Sequence, residues 1–94
     1  MRVRNMIGHS GREIANQFII ESKDGVYFQS YNAVIAFKPY SGKTQLDSAF
    51  WDYSRTTGKY RNLFLGETKK ETERKIKDGV YLLNNLNGVD YERV

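Results

Sequence analysis

The hydrophobic pattern of the chain changes period once, at Trp51, and that single change limits the folds open to it. Before Trp51, short runs of β-branched and aromatic residues follow one another: Asn16–Ser22 (NQFIIES), Val26–Tyr31 (VYFQSY), Asn32–Phe37 (NAVIAF) and Thr44–Trp51 (TQLDSAFW). After it, Tyr60, Leu63 and Phe64 recur at the i, i+3, i+4 spacing of an amphipathic helix, with Tyr53 and Thr57 extending the stripe backwards. Strands gathered first and helices second exclude a regular βαβ alternation. The pattern predicts an α+β fold: a small antiparallel sheet of about four to five strands, two short helices in the C-terminal half and a final strand.

Local signals place the joints. Lys23-Asp24-Gly25 between two strand-like runs is a hairpin turn. Pro39 ends the third run, and Lys38–Lys43 reads as a loop. Asp52 or Ser54 can cap a helix over residues 54–65, and Gly66 stands where a C-terminal glycine is expected. Thr68 and Glu71 form a capping box that starts a second helix, stopped by Asp78-Gly79. Val80–Asn87 allows two readings. A helix continued through Gly79 would put Ile76, Val80 and Leu83 on one face, whereas a last strand would alternate Val80, Leu82 and Asn84 against Tyr81, Leu83 and Asn85. Gly and two Asn, poor helix residues, favour the strand. The pentapeptide Lys-Asp-Gly-Val-Tyr occurs at 23–27 and again at 77–81, a turn-then-strand solution used twice. At 94 residues the chain makes one domain. The expected organisation is a flexible arm over 1–12, with at most a short strand at its start, a single α+β domain over 13–87 and a tail over 88–94.

Composition narrows the chemistry. With no Cys there are no disulfides, thiolate-ligated metals or thiol nucleophiles, and a single His leaves few ligands for a transition metal. No cofactor is expected. Ser41-Gly42-Lys43-Thr44 ends like a phosphate-binding loop, but Phe37 stands where the first glycine belongs and a strand, not a helix, follows. Gly8-His9-Ser10-Gly11 sets the His beside a Ser, yet sequence neighbours lack the third group that aims a catalytic base. Asp47 and Asp52 suit a turn and a helix cap better than paired acid–base work. No apolar run is long enough to span a bilayer or to drive export, so a cytoplasmic protein without a membrane role is expected. The edge strands of a meander leave monomer and homodimer both open.

Charge is unevenly placed. Residues 1–12 hold three Arg and no acid, and residues 53–77 hold eight Lys or Arg against three Glu, while the remaining stretches are net acidic. On the first helix Arg55, Lys59 and Asn62 form one solvated stripe with Arg61 at its edge, and the second helix adds Lys69, Lys70 and Arg74. That surface could track a phosphate backbone of DNA or RNA. Glu71→Lys75 and Glu73→Lys77 have the spacing to neutralise part of it. The aromatics Tyr27, Phe28, Tyr31, Phe37 and Tyr40 fall on strand-like runs, where core packing accounts for most of them and base stacking is the other use.

Phe28-Gln29-Ser30-Tyr31, Val34-Ile35-Ala36 and above all Trp51-Asp52-Tyr53-Ser54, Thr56-Thr57, Lys59-Tyr60, Asn62 and Phe64-Leu65 give the stretch from Asn16 to Asn87 a resemblance. It resembles small uncharacterised proteins encoded by bacteriophages and other mobile elements of Gram-positive bacteria. The resemblance implies a genomic setting, in which small proteins bind and redirect or block host machinery, and it carries no catalytic or binding residues over. The expectation is therefore a non-enzymatic accessory protein that binds a host macromolecule, foremost a protein, with inhibition of a restriction or CRISPR nuclease as one such role. The alternative is direct nucleic-acid binding through the basic face of residues 53–77.

Overall fold

The Asp24-Gly25 turn joins two long strands, β2 (Glu13–Glu21) and β3 (Gly25–Ser30), as the sequence predicts. Glycine is required there by crowding: a Cβ on Gly25 would lie 2.3 Å from the carbonyl oxygen of Lys38. The computed structural model of the chain describes residues 1–88. It adds β1 (Arg2–Ile7), β4 (Ala33–Pro39), β5 (Gln45–Asp47), α1 (Arg55–Leu65), α2 (Lys69–Lys77) and β6 (Leu82–Asn84). The six strands lie side by side in chain order, antiparallel throughout except that β6 runs parallel to β5. The two helices form the crossover between those last strands, which a parallel pair requires.

The class and layout are those predicted, and three local readings change. Residues 1–12 are not an arm: Arg2–Ile7 is a strand paired along β2, residues 8–12 make the turn between the two, and Met6 is buried in the core. Only Gln45–Asp47 of the run 44–51 is strand, because Asp47 turns the chain. Its buried carboxylate accepts from the amides of Ala49 (3.0 Å) and Phe50 (2.9 Å) through Oδ2, and from Leu86 N (2.8 Å) and Asn87 Nδ2 (3.0 Å) through Oδ1. The third change is in the last strand, which is three residues long, with Tyr81 buried just before it and Leu82 and Leu83 both about half exposed. The two Lys-Asp-Gly-Val-Tyr copies accordingly differ: the first makes a hairpin, while in the second Gly79 takes a left-handed φ of 76° after α2. Of the tail expected over 88–94, all but Gly88 lies outside the described residues.

The core is a row across one sheet face. Ile19, Phe28, Ala36 and Leu46 are register neighbours on β2 to β5, and all are buried. Tyr60, Phe64 and Leu65 of α1 and Ile76 of α2 pack against this row, so both helices cover the same face. Of the strand aromatics, Phe28 belongs to this core, Tyr27 and Phe37 stack on each other at 4.2 Å on the opposite face, and Tyr31 and Tyr40 are exposed.

The helix ends follow the sequence. Ser54 is the N-cap of α1, its side chain accepting from Thr57 N at 3.0 Å, and Gly66 closes the helix at φ 71°. Lys38 of β4 supplies the cation that the last turn of α1 lacks, donating to the carbonyl of Phe64 at 2.6 Å. Burial holds the Lys38 ammonium below its ordinary pKa, with Glu67 opposing. Thr68 and Glu71 form the expected capping box on α2. Glu71 is thereby engaged at its own helix start, and Lys75 bonds Glu67 at 2.6 Å instead. Glu67 also accepts from Thr72 (2.6 Å) and Tyr81 (2.8 Å), which ties α2 to the chain leading into β6.

Candidate nucleic-acid interface on helix α1

Helical spacing brings Arg55, Gly58, Lys59 and Asn62 onto one side of α1, and the short α1–α2 link returns Lys69 to the same place. Together with Asp52, Ser54 and Arg61 they line an open cavity of ≈ 600 Å³. Five of the seven predicted binding residues, Arg55, Lys59, Arg61, Asn62 and Lys69, thus meet in one cleft. The other two do not: Lys70 and Arg74 line a separate hollow on α2 with Glu73, Lys77 and Asp78.

Arg61 corrects the sequence reading. Placed at the edge of a solvated stripe, it is in fact 1% exposed. Its Nη1 donates to the Trp51 carbonyl at 2.8 Å and to Asp52 Oδ1 at 3.2 Å, and its Nη2 donates to Asn62 Oδ1 at 2.9 Å. The guanidinium carbon also lies 5.1 Å from the Trp51 ring centre. A buried cation requires such partners, since an unpaired one would cost several kcal/mol (about 3–5). Trp51, Asp52 and Asn62, all in the stretch from Trp-Asp-Tyr-Ser to Phe-Leu, serve as its receptor. Asn62 gives its side-chain carbonyl oxygen to Arg61.

Asp52 joins the two elements. Its second oxygen accepts from Lys69 Nζ at 2.8 Å, so one carboxylate clamps α2 to α1. Burial alone would push the Asp52 carboxyl up, but the hydrogen bonds from Lys69 and Arg61 outweigh it and hold the group below its ordinary pKa. The same bond raises the Lys69 ammonium. Asp52 is therefore not the cap of α1, a role taken by Ser54. The cleft holds four cations against one carboxylate, and that carboxylate is already neutralised from within. Arg55, Lys59 and Lys69 are exposed, and of these Lys69 is the one paired with Asp52.

Sequence reasoning missed a second concavity beside the first. The β1–β2 turn stands against α1, and His9, Ser10, Arg12, Glu13 and Ile14 face Lys59, Tyr60 and Leu63 across ≈ 460 Å³. The only sign of it in the sequence is the run of positive charge in residues 1–12, which gives no hint that this segment folds beside residues 59–63.

No helix among the described residues is long and apolar enough to cross a membrane. No curated protein and no solved structure matches the chain. One family model does match, over residues 1–79, a span that holds both helices and every residue of the cleft. The chain belongs to that family, described as a family of unknown function (DUF8033).

Proposed function

We propose that the protein is a non-enzymatic binding protein that holds the phosphate backbone of a nucleic acid in the cleft on α1. The observation that carries this reading is a net excess of three positive charges in a single concave site, with Arg55 and Lys59 exposed and outside the pairing at Asp52. Arg55 and Lys59 supply the contacts, while Arg61, Asp52 and Asn62 fix the shape of the site and Lys69 lends it charge. Backbone neutralisation releases counterions, so log K falls with log salt by about 0.7 per phosphate contacted on a single strand and about 0.9 on a duplex. The test is binding of a labelled oligonucleotide across a salt titration, for the native chain and for Arg55→Glu/Lys59→Glu. A steep slope that flattens in the double variant supports the reading; affinity independent of salt ends it.

A second reading is a phage-type accessory protein that binds a host protein in the bacterial cytoplasm, a defence nuclease among the partners. It is supported by apolar surface away from the cleft. Val3, Ile20 and Tyr27 are register neighbours on the sheet face opposite the helices, with Val3 58% exposed and Ile20 and Tyr27 partly so. Co-elution with a purified restriction or CRISPR nuclease that persists at high salt and is lost on Val3→Asp supports this reading. Failure of such nucleases to co-elute counts against it.

A further inference from the structure

The cavity beneath the β1–β2 turn is built differently from the cleft beside it. Its lining is part apolar, from Ile14, Tyr60 and Leu63, and part polar, from His9, Arg12 and Glu13. The turn is fixed by its own backbone: Gly8 N donates to the Arg12 carbonyl at 2.9 Å, and Gly11 N donates to that of Gly8 at 3.0 Å. Gly11 takes a left-handed φ of 81°, which favours glycine. Asn5 Nδ2 donates to the Ile14 carbonyl at 2.9 Å and pins the base of the hairpin. A preformed cavity of ≈ 460 Å³ lies in the size range of small-molecule sites, about 300–1,000 Å³.

Lys59 connects the two concavities. It lines both, and its ammonium stands 5.3 Å from the centre of the Tyr60 ring. A phosphate held by Lys59 and Arg55 therefore leaves the attached nucleoside at the mouth of the second cavity. A phosphate suits that cavity less well than the cleft, because Glu13 offsets Arg12 and the apolar side chains would strip part of the phosphate's water. A flat, partly apolar base suits it: its faces can pack on Tyr60, Leu63 and Ile14 while its edge meets His9 and Glu13. Bases paired within a duplex cannot enter.

We infer that the cavity under the β1–β2 turn is a nucleobase subsite, and that the nucleic acid the protein takes is single-stranded. The strand lies across α1 with its phosphates over Arg55 and Lys59 and one base inserted against Tyr60 and Leu63. The inference rests on the reading of the neighbouring cleft as a phosphate site. It also gives a role to the Gly-His-Ser-Gly segment, as the wall of a binding cavity.

The experiment compares three labelled probes on the full chain: a single-stranded DNA oligonucleotide, an abasic phosphodiester oligonucleotide of the same length, and a duplex. Stacking of one base predicts that the native chain prefers the base-bearing strand over the abasic one by about fivefold or more. Leu63→Ser and Gly8→Leu each bring that ratio towards one, while the abasic probe keeps its affinity and salt slope. Gly8→Leu fills the cavity without backbone strain, since a Cβ there meets Ile14 at an ordinary 3.4 Å. Equal affinity for the base-bearing and abasic strands, or tighter binding of the duplex, overturns the subsite and leaves the phosphate cleft standing. Absence of salt-dependent binding to every probe overturns the cleft, and the subsite with it.

Discussion

Asp52 meets the buried guanidinium of Arg61 at 3.2 Å, nine residues ahead of it in the chain, and this ion pair fixes the floor of the cationic cleft. The pair is asymmetric. Arg61 is almost wholly enclosed, whereas the Asp52 side chain remains 31% exposed and shares its second oxygen with Lys69. The cleft thus keeps Arg61 inside and leaves Arg55 and Lys59 exposed.

Removing Asp52 should strand that cation. Breaking a fully buried pair costs about 3–5 kcal/mol, and partial access of water at Asp52 reduces this, so Asp52→Ala is expected to cost about 2–3 kcal/mol in urea unfolding. The double variant Asp52→Ala/Arg61→Met should recover part of the loss, because it removes the stranded charge as well. A double variant less stable than Asp52→Ala alone would refute this account.

Asp47 gives a sharper case. Both of its oxygens face N–H donors, from Ala49 and Phe50 on one side and from Leu86 and Asn87 on the other. Asn has the same shape but must point an NH2 group at one pair of donors. Asp47→Asn should therefore destabilise by about 2 kcal/mol or more, close to Asp47→Ala, as read by thermal or chemical unfolding. A neutral Asp47→Asn would show that the bracket contributes little.

Stability should fall in acid. Burial raises the carboxyl groups of Asp52 and Glu67, but hydrogen bonds overcome it in both, from Lys69 and Arg61 at Asp52 and from Lys75, Thr72 and Tyr81 at Glu67. Both folded-state values are therefore depressed. Groups of this kind stabilise the fold above the unfolded value, about 4, and lose that contribution as pH falls through the folded value. The melting temperature should be nearly level from about pH 7 to 5 and drop below about pH 4, with a shallower drop in Glu67→Gln.

The two basic surfaces should differ in use. Arg55→Glu/Lys59→Glu alters the cleft, whereas Lys70→Glu/Arg74→Glu alters the hollow on α2. At physiological salt the screening length is about 8 Å, so the second pair should weaken oligonucleotide binding far less than the first. Equal losses measured by fluorescence polarisation would mean that the ligand follows overall charge instead of the cleft.

The capping box is a local control. Thr68→Ala should cost about 1 kcal/mol of stability and leave oligonucleotide affinity unchanged once the protein is folded.

The local features of this chain are legible in its sequence because each depends on residues within a few positions. The Asp24-Gly25 hairpin, the Ser54 cap, the Gly66 stop and the Thr68–Glu71 box all stand where turn and cap chemistry puts them. The change of period at Trp51 likewise settles the α+β class, since alternation and helical spacing are properties of neighbouring side chains.

What needed the tertiary structure was every relationship between distant residues. The first strand joins the sheet because Met6 can be buried there, a gain invisible in a segment that looks polar and glycine-rich. The last strand lies parallel to β5 because two helices intervene and Asp47 holds Leu86 and Asn87. Helical phase placed Arg61 at the rim of a solvated face. Its true position was decided by Trp51, Asp52 and Asn62, which together can bury a guanidinium. The meeting of the β1–β2 turn with Lys59 and Tyr60 is of the same kind. Some fifty residues of chain separate the two walls of that cavity, and only the packing of α1 on the sheet brings them together.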